Sequence, residues 1–238
     1  MRSSETLRSP DDEDFDTSAA NYDEQLQKGL SISGETKEYF ALARVEWLRR
    51  RMDALDFKVR DCLDFGCGIG TATPYFFDVL NAAAIVGTDP SEASLGIARG
   101  HWKQYAATFV QPDAVAPEGA DLAFCNGVFH HIDPANRADA ASLVYRSLRP
   151  GGLFALWENN PWNPLTRLSM SRVPFDADAI MLWPGETRRL LKASGFEVLF
   201  TDYKFFFPRP LAALRFLEPS LRRCVMGAQY LVLGRKPA

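Results

Sequence analysis

The stretch Asp61-Cys62-Leu63-Asp64-Phe65-Gly66-Cys67-Gly68-Ile69-Gly70 decides how this chain folds. A short apolar run ends in three glycines at alternate positions, and residues 71–80 after it have the pattern of a helix. Glycine adopts backbone angles that other residues avoid and has no side chain to keep a ligand away. The stretch therefore predicts a strand whose terminal loop brings its main chain against a bound molecule.

Composition limits the kind of protein that this can be. The chain of 238 residues is 47% hydrophobic and 24% charged, which predicts one α/β domain with one large core. A formal charge of −3 gives no general attraction to nucleic acid or to an anionic membrane, although a local patch can still exist. The longest uncharged apolar runs fall short of the ~20 residues that span a bilayer.

Cysteine usage and the N-terminal residues indicate a cytoplasmic protein without a metal site. Cys62, Cys67, Cys125 and Cys224 form no CxxC pair and have no histidine at zinc-ligand spacing, so we expect reduced thiols. Residues 1–20 are acidic and aperiodic, which predicts a segment that is disordered or becomes ordered only against a ligand. They contain no hydrophobic run for a signal peptide.

The order of predicted elements indicates a parallel sheet covered on both faces. Residues 21–58 form a predicted N-terminal helical cap, and residues 59–238 form the main domain with two long insertions, 159–184 and 208–226. Helices are expected between the strands, one capped by Ser91 and another opening at Asp133-Pro134. The predicted strands are 59–65, 83–88, 107–111, 121–126, 153–158, 196–207 and 229–235.

A second motif narrows the choice of ligand. Ile85-Val86-Gly87-Thr88-Asp89 is a predicted strand ending in a carboxylate, at the distance where such folds place an acid on a ribose diol. A dinucleotide loop needs glycines spaced G-x-G-x-x-G around a pyrophosphate, and Asp64 would repel phosphate. A carboxylate before the glycines suits a ligand with an ammonium group, and S-adenosylmethionine has one. NAD remains the alternative if the loop is misread.

Five stretches, in the correct order and spacing, resemble the motifs of class I S-adenosylmethionine-dependent methyltransferases. They cover about residues 59–158 of the chain. The five are Leu63-Asp64-Phe65-Gly66-Cys67-Gly68-Ile69-Gly70, Gly87-Thr88-Asp89, Gln111-Pro112-Asp113-Ala114, 121–132, and Leu148-Arg149-Pro150-Gly151-Gly152. The resemblance implies a Rossmann-like, doubly wound sheet of seven strands in the order 3-2-1-4-5-7-6, with only the last strand antiparallel.

The resemblance also implies a set of cofactor-binding residues for S-adenosylmethionine. Asp64, Phe65, Gly66, Cys67, Gly68 and Gly70 would hold the methionine part, Asp89 and Pro90 the ribose, and Asp113 and Ala114 the adenine. Asn126 and Val128 would line the same site. Tyr22 is expected to close over the cofactor, and Arg44 either pairs with its carboxylate or is a surface charge.

Three residues are candidates for proton transfer during methylation. His130 and His131 lie where the acceptor should approach, and imidazole can act as a base near neutral pH. We prefer His131, although one histidine in such turns often has only a structural role. Glu158 is the other candidate; alternatively it bonds to the loop Asn159-Asn160-Pro161-Trp162. That loop is similar to an amino-methyltransferase motif, but it follows the fifth strand instead of the fourth, so we reject that reading.

The two insertions are rich in aromatic and apolar residues and should form the acceptor site. They predict a partly apolar small molecule, methylated on oxygen or carbon as in the quinone-biosynthesis-like subgroup that the chain resembles. The alternatives are a nucleic-acid methyltransferase, which the acidic balance disfavours, and a regulatory subunit that binds S-adenosylmethionine without turnover.

Overall fold

The computed structural model describes residues 33–173 and 179–238. The seven strands are β1 Asp61–Phe65, β2 Ala84–Thr88, β3 Ala107–Val110, β4 Ala120–Asn126, β5 Leu148–Asn159, β6 Glu197–Lys204 and β7 Gln229–Arg235. The α-helices are α1 Lys37–Ala54, α2 Thr73–Asp78, α3 Glu92–His101, α4 Arg137–Ser147, α5 Pro164–Met170, α6 Pro184–Ala193 and α7 Glu218–Leu221. In the described part of the chain, 3₁₀ segments span Pro112–Ala114 and Arg209–Leu217.

The sheet confirms the predicted strand order and direction. Its order is β3-β2-β1-β4-β5-β7-β6, and β7 runs antiparallel to both neighbours while the other pairs are parallel. Asp64 of β1 lies between Gly87 of β2 and Phe124 of β4. The chain order reverses at β1, so the glycine loop leaves the sheet where open α/β sheets bind their ligands.

Both faces of the sheet bury apolar side chains, because neighbouring residues of a strand point to opposite faces. On one face, Trp47 of α1 and Phe76 of α2 pack in the same cluster as Phe124 and Trp157. The opposite face packs under α4 and α6 in the same way. This double covering makes the strands rigid supports for the loops at their carboxyl ends.

Helix boundaries follow from local capping. Ser91 caps α3 as expected, since its hydroxyl oxygen accepts from the Ser94 N–H at 3.1 Å. The expected start of α4 at Asp133-Pro134 is wrong: the helix begins at Arg137. The Asp133 carboxylate accepts from the Ala135 N–H at 2.7 Å and its carbonyl accepts from the Asn136 N–H at 2.8 Å. These bonds stabilise a turn that competes with the helix.

Strand β5 begins five residues before its predicted start. Leu148 already pairs with β4, and Gly151 and Gly152 exchange backbone hydrogen bonds with Lys236 at 2.8 to 2.9 Å. Within the described part of the chain, no helix is long and apolar enough to cross a membrane.

Candidate active site

A cavity of about 300 Å³ lies at the carboxyl edge of the central strands. Its walls come from α1, the glycine loop, the end of β4, and both insertions. Of the residues proposed from sequence, those that line it are Arg44, Asp64, Gly66, Cys67, Gly68, Asn126 and His130. The described candidates outside its lining are Phe65, Gly70, Asp89, Pro90, Asp113, Ala114, Val128, His131 and Glu158. Tyr22 and the acidic residues 1–20 lie outside the described residues.

The three loop glycines have different physical roles, although all have positive φ. A Cβ atom on Gly66 would lie 2.2 Å from a methyl of Val128, and one on Gly70 would lie 2.8 Å from the indole of Trp102. These two glycines therefore allow close packing within the protein. A Cβ on Gly68 would meet no atom within 4 Å, so the loop leaves open space at this one position.

Asp64 places a buried carboxylate against the cavity, with only 4% of the residue exposed. Burial, and secondly repulsion from Asp89, raises the pKa of Asp64 to about 7. The structure gives this carboxylate no hydrogen-bond donor within residues 33–173 and 179–238. A buried carboxylate without a donor is costly, and a ligand ammonium would supply the missing positive charge.

Asp89 holds the glycine loop in place. One of its carboxylate oxygens accepts from the Gly68 N–H at 2.8 Å, and the other accepts from the Ser91 N–H at 3.0 Å. Pro90 is exposed beside it, and Asp113 and Ala114 are exposed in the 3₁₀ turn after β3. This side of the loop is therefore open to solvent, unlike the enclosed Asp64 side.

Arg44 and Asn126 add polar groups to the lining of the cavity. Arg44 lies on the buried side of α1, where its Nε donates to the Gln229 side-chain oxygen at 2.8 Å. Its guanidinium carbon is 5.7 Å from the ring centroids of Phe40 and Phe205. Asn126 ends β4, and its side-chain oxygen is buried with no hydrogen-bond partner among residues 33–173 and 179–238. Such an atom is available to a ligand donor.

Cys67 is an unreactive thiol despite its place in the loop. Burial and the nearby carboxylates of Asp64 and Asp89 raise the pKa of the Cys67 thiol well above its ordinary value. The thiolate is the nucleophilic form, so this cysteine is not a candidate for covalent catalysis.

His130 and Glu158 form a buried pair that brings a titratable side chain to the cavity. The His130 Nδ1 lies 2.6 Å from one Glu158 carboxylate oxygen, and the Phe129 N–H donates to the other at 2.9 Å. His130 is 3% exposed and Glu158 is 0% exposed. A carboxylate that accepts the Nδ1 proton fixes the tautomer in which Nε2 is the acceptor.

Two sequence-based alternatives concern His131 as the base and the loop after β5 as the partner of Glu158. His131 is half-buried beside His130, with 4.2 Å between the ring centroids, and it does not line the cavity. Glu158 contacts the turn after β4, whereas the loop after β5 is held by Asn160, whose amide donates to the carbonyls of Val225 and Gly227 at 2.7 Å.

Trp102 and Gln229 support the site and were not proposed from sequence. Trp102 supports the glycine loop by donating from its indole nitrogen to the Ile69 carbonyl at 2.9 Å. Gln229 links Arg44 to Asn159, donating to the Asn159 side-chain oxygen at 2.9 Å. Neither residue belongs to a recognisable motif, because both act through contacts distant in sequence.

Comparison with known proteins agrees with this geometry. A family model described as a methyltransferase domain matches residues 63–154. The ubiquinone biosynthesis O-methyltransferase of Rhizobium etli is 29% identical over 195 residues, which cover 74% of this chain and 73% of the relative.

Solved methyltransferase structures share the fold. A chain from the complex of the Haloferax volcanii Trm112 methyltransferase activator matches with a TM-score of 0.64 and 20% identity, covering 98% of this chain and 100% of that chain. An S-adenosylmethionine-dependent methyltransferase from Mesorhizobium loti matches with a TM-score of 0.54 and 22% identity, covering 75% of this chain and 91% of that chain. At these identities the likeness shows the fold alone.

The sheet order, the glycine loop and the family model together define the class of this protein. The chain is a class I S-adenosylmethionine-dependent methyltransferase. S-adenosylmethionine is its cofactor, and the residues present fit it: a buried carboxylate without a donor, an open glycine and an unpartnered amide oxygen all face one cavity.

Proposed function

We propose that this methyltransferase acts on an oxygen or carbon atom of a partly apolar small molecule. The observation that carries the proposal is the continuity of the cavity, which joins the Asp64 side of the glycine loop to a wall of apolar side chains. The apolar wall includes Met170, Val173, Phe205, Phe206 and Phe207. A largely apolar cavity of this size, with a few polar groups, suits a small organic acceptor.

The similarity to a ubiquinone biosynthesis O-methyltransferase supports an oxygen acceptor. The apolar wall supports the same class, because an acceptor with an extended apolar part would bury it against these side chains.

The chain's own residues would hold the cofactor by charge and by close backbone approach. Asp64 pairs with the ammonium of the methionine part, and Arg44 of α1 pairs with its carboxylate. Phe65, Cys67 and Gly70 shape the loop on which Gly68 meets the ligand. Asp89 would accept from the ribose hydroxyls beside Pro90. Asp113, Ala114, Asn126 and Val128 complete the adenosine side, and Tyr22 remains a proposed cover.

The reaction needs alignment first and a base second. S-adenosylmethionine supplies an activated methyl group, so the walls of the cavity must hold the acceptor in line with it and exclude water. When the acceptor is a hydroxyl, its proton passes to Nε2 of His130, and Glu158 fixes the ring and stabilises the imidazolium. A positioned base of this kind contributes ~10² to 10⁴ in rate. The geometry favours His130 over His131 for this role.

The proposal is tested by measuring methyl transfer to separate classes of acceptor. Purified protein with radiolabelled S-adenosylmethionine is incubated with catechols and hydroxyquinols, with extracted small molecules, and with nucleic acid. We expect label in the organic-soluble fraction and none in nucleic acid. Label in nucleic acid alone would support a nucleic-acid methyltransferase and overturn the proposal. Cofactor binding without transfer to any fraction would favour a regulatory subunit.

A further inference from the structure

Exposed apolar side chains are concentrated in one stretch of the sequence. In the described part of the chain, all the large hydrophobic residues that are exposed lie between positions 162 and 226. Phe216 is 74% exposed, Trp162 is 57% exposed and Leu165 is 54% exposed. Monomeric soluble proteins rarely leave such side chains together in water without an interaction partner.

Nine of the eleven exposed large hydrophobic residues in the described part of the chain belong to two segments that contact each other; the other two are Ile180 and Trp183. The Asn163 side chain donates to the Met226 carbonyl at 2.7 Å, and the Thr166 hydroxyl donates to the Ala228 carbonyl at 2.9 Å. These bonds place α5 beside the segment that follows α7. We call the resulting surface the apolar–basic face; its exposed apolar members are Trp162, Leu165, Leu168, Leu211, Leu214, Phe216, Leu217, Val225 and Met226.

The same two segments have a positive charge that the whole chain lacks. Residues 159–173 and 205–234 contain six arginines and one acidic residue, in a chain whose net charge is −3. That one acid, Glu218, is buried and bonds to Lys204 at 3.0 Å and to the Phe206 N–H at 2.9 Å. The exposed arginines of the face are Arg167, Arg172, Arg209 and Arg223.

The face borders the mouth of the active-site cavity. Leu165 is both exposed on the face and part of the cavity lining, and Pro208 and Arg215 line the cavity from the second segment. A ligand held at the face would therefore lie next to the apolar wall of the cavity.

We propose that the apolar–basic face docks on an anionic membrane surface and receives an apolar acceptor there. Apolar side chains interleaved with arginines are the pattern of proteins that lie on a bilayer, because the apolar groups enter the headgroup boundary while the cations meet anionic lipids. A second copy of the chain fits less well, since a two-fold contact would bring the arginine-bearing segments towards their own copies.

Vesicle binding tests the proposal with the full chain, without cofactor or acceptor, so its result is independent of the methyl-transfer assay. Protein is co-sedimented with vesicles of phosphatidylcholine alone and of equal parts phosphatidylcholine and phosphatidylglycerol. We expect binding to the anionic vesicles that falls as salt screens the charges. Each arginine that is removed should lower the partition coefficient about fivefold. The doubly substituted Arg167→Gln, Arg172→Gln protein should therefore bind about 25-fold more weakly.

Two further variants separate charge from apolar insertion. Phe216→Ser combined with Leu168→Ser should also reduce anionic-vesicle binding, whereas Lys103→Gln, at an exposed site before β3, should leave it unchanged. Melting temperatures close to that of the unaltered protein establish that each variant is folded. Equal binding to neutral and anionic vesicles, or no binding to either, overturns the proposal. If the protein binds no vesicles but forms a dimer, and the serine substitutions dissociate that dimer, the face is assigned to contact with a second copy instead.

Discussion

Replacing Asp64 by asparagine removes a buried charge while keeping the shape of the side chain. The aspartate is 4% exposed and its carboxyl pKa is raised from 3.8 to about 7, first by burial and then by repulsion from Asp89. The folded protein therefore binds this proton more tightly than the unfolded chain does. By linkage, the carboxyl lowers stability progressively as the pH rises from about 4 to about 7, and the full loss persists above that range.

The size of the effect follows from the pKa difference. About three pKa units correspond to a cost on the order of 4 kcal/mol for the ionised carboxylate above pH 7. The Asp64→Asn protein does not ionise there. Without cofactor at pH 8, it should melt at a higher temperature than the unaltered protein, by up to about 10 °C for a chain of this size. Near pH 4 the two melting temperatures should converge.

Cofactor binding should change in the opposite direction. The carboxylate is proposed to pair with the ligand ammonium in a buried site, and losing one partner of such a pair costs about 2 kcal/mol or more, a factor of about 30. The assay is thermal unfolding from pH 4 to pH 9 without ligand, followed by calorimetric titration with S-adenosylmethionine at pH 8. Asp78→Asn is the matched control because Asp78 is exposed at the end of α2, and it should change neither quantity.

Two results would refute this reasoning. A variant that melts at or below the temperature of the unaltered protein at pH 8 would show that the buried carboxylate is not a destabilising charge. Unchanged affinity for S-adenosylmethionine would show that Asp64 does not contact the ammonium.

The remaining predictions concern the loop and the proton-transfer pair. Gly66→Ala should lower the melting temperature, because a Cβ there would lie 2.2 Å from a methyl of Val128. Gly68→Ala should fold and lose cofactor affinity in titrations. A Gly68→Ala protein with full affinity would contradict the loop assignment. His130→Ala should lower kcat on a hydroxyl acceptor ~10² to 10⁴-fold while cofactor affinity stays unchanged, and an undiminished kcat would exclude it as the base. Glu158→Gln should lower kcat less, and adding it to His130→Ala should cause no further loss, because residues that act as a unit are not additive. If the losses in kcat of the two single variants multiplied in the double variant, His130 and Glu158 would act independently.

The sequence predicts the sheet well because its signals are local. Alternating strands and helices predict a parallel sheet covered on both faces, and Ser91 marks the start of a helix. The strand order itself follows only from the resemblance to class I methyltransferases. The start of α4 was missed because the Asp133 side chain stabilises a turn where proline suggested a helix. The early start of β5 was missed because its first residues bond to Lys236, far along the chain.

The candidate site also contains residues with a local sequence signal and residues placed by contacts distant in sequence. Asp64 and Gly68 belong to one loop, so the sequence alone is enough to propose them as cofactor residues. Gln229 reaches Arg44 only because β7 returns beside β5, and no local pattern indicates that contact. The choice between His130 and the histidine after it depends on which ring of a turn faces the cavity, and a sequence carries no signal for that orientation.

The central claim is that Asp64 holds the ammonium of the methyl donor in this cavity. The most direct test compares two ligands on two proteins by calorimetric titration at pH 8: S-adenosylhomocysteine, which retains the amino acid part, and methylthioadenosine, which lacks it. The unaltered protein should prefer S-adenosylhomocysteine, and Asp64→Asn should reduce that preference about 30-fold, mainly by weakening the one ligand that has an ammonium. An equal preference in both proteins would contradict the claim.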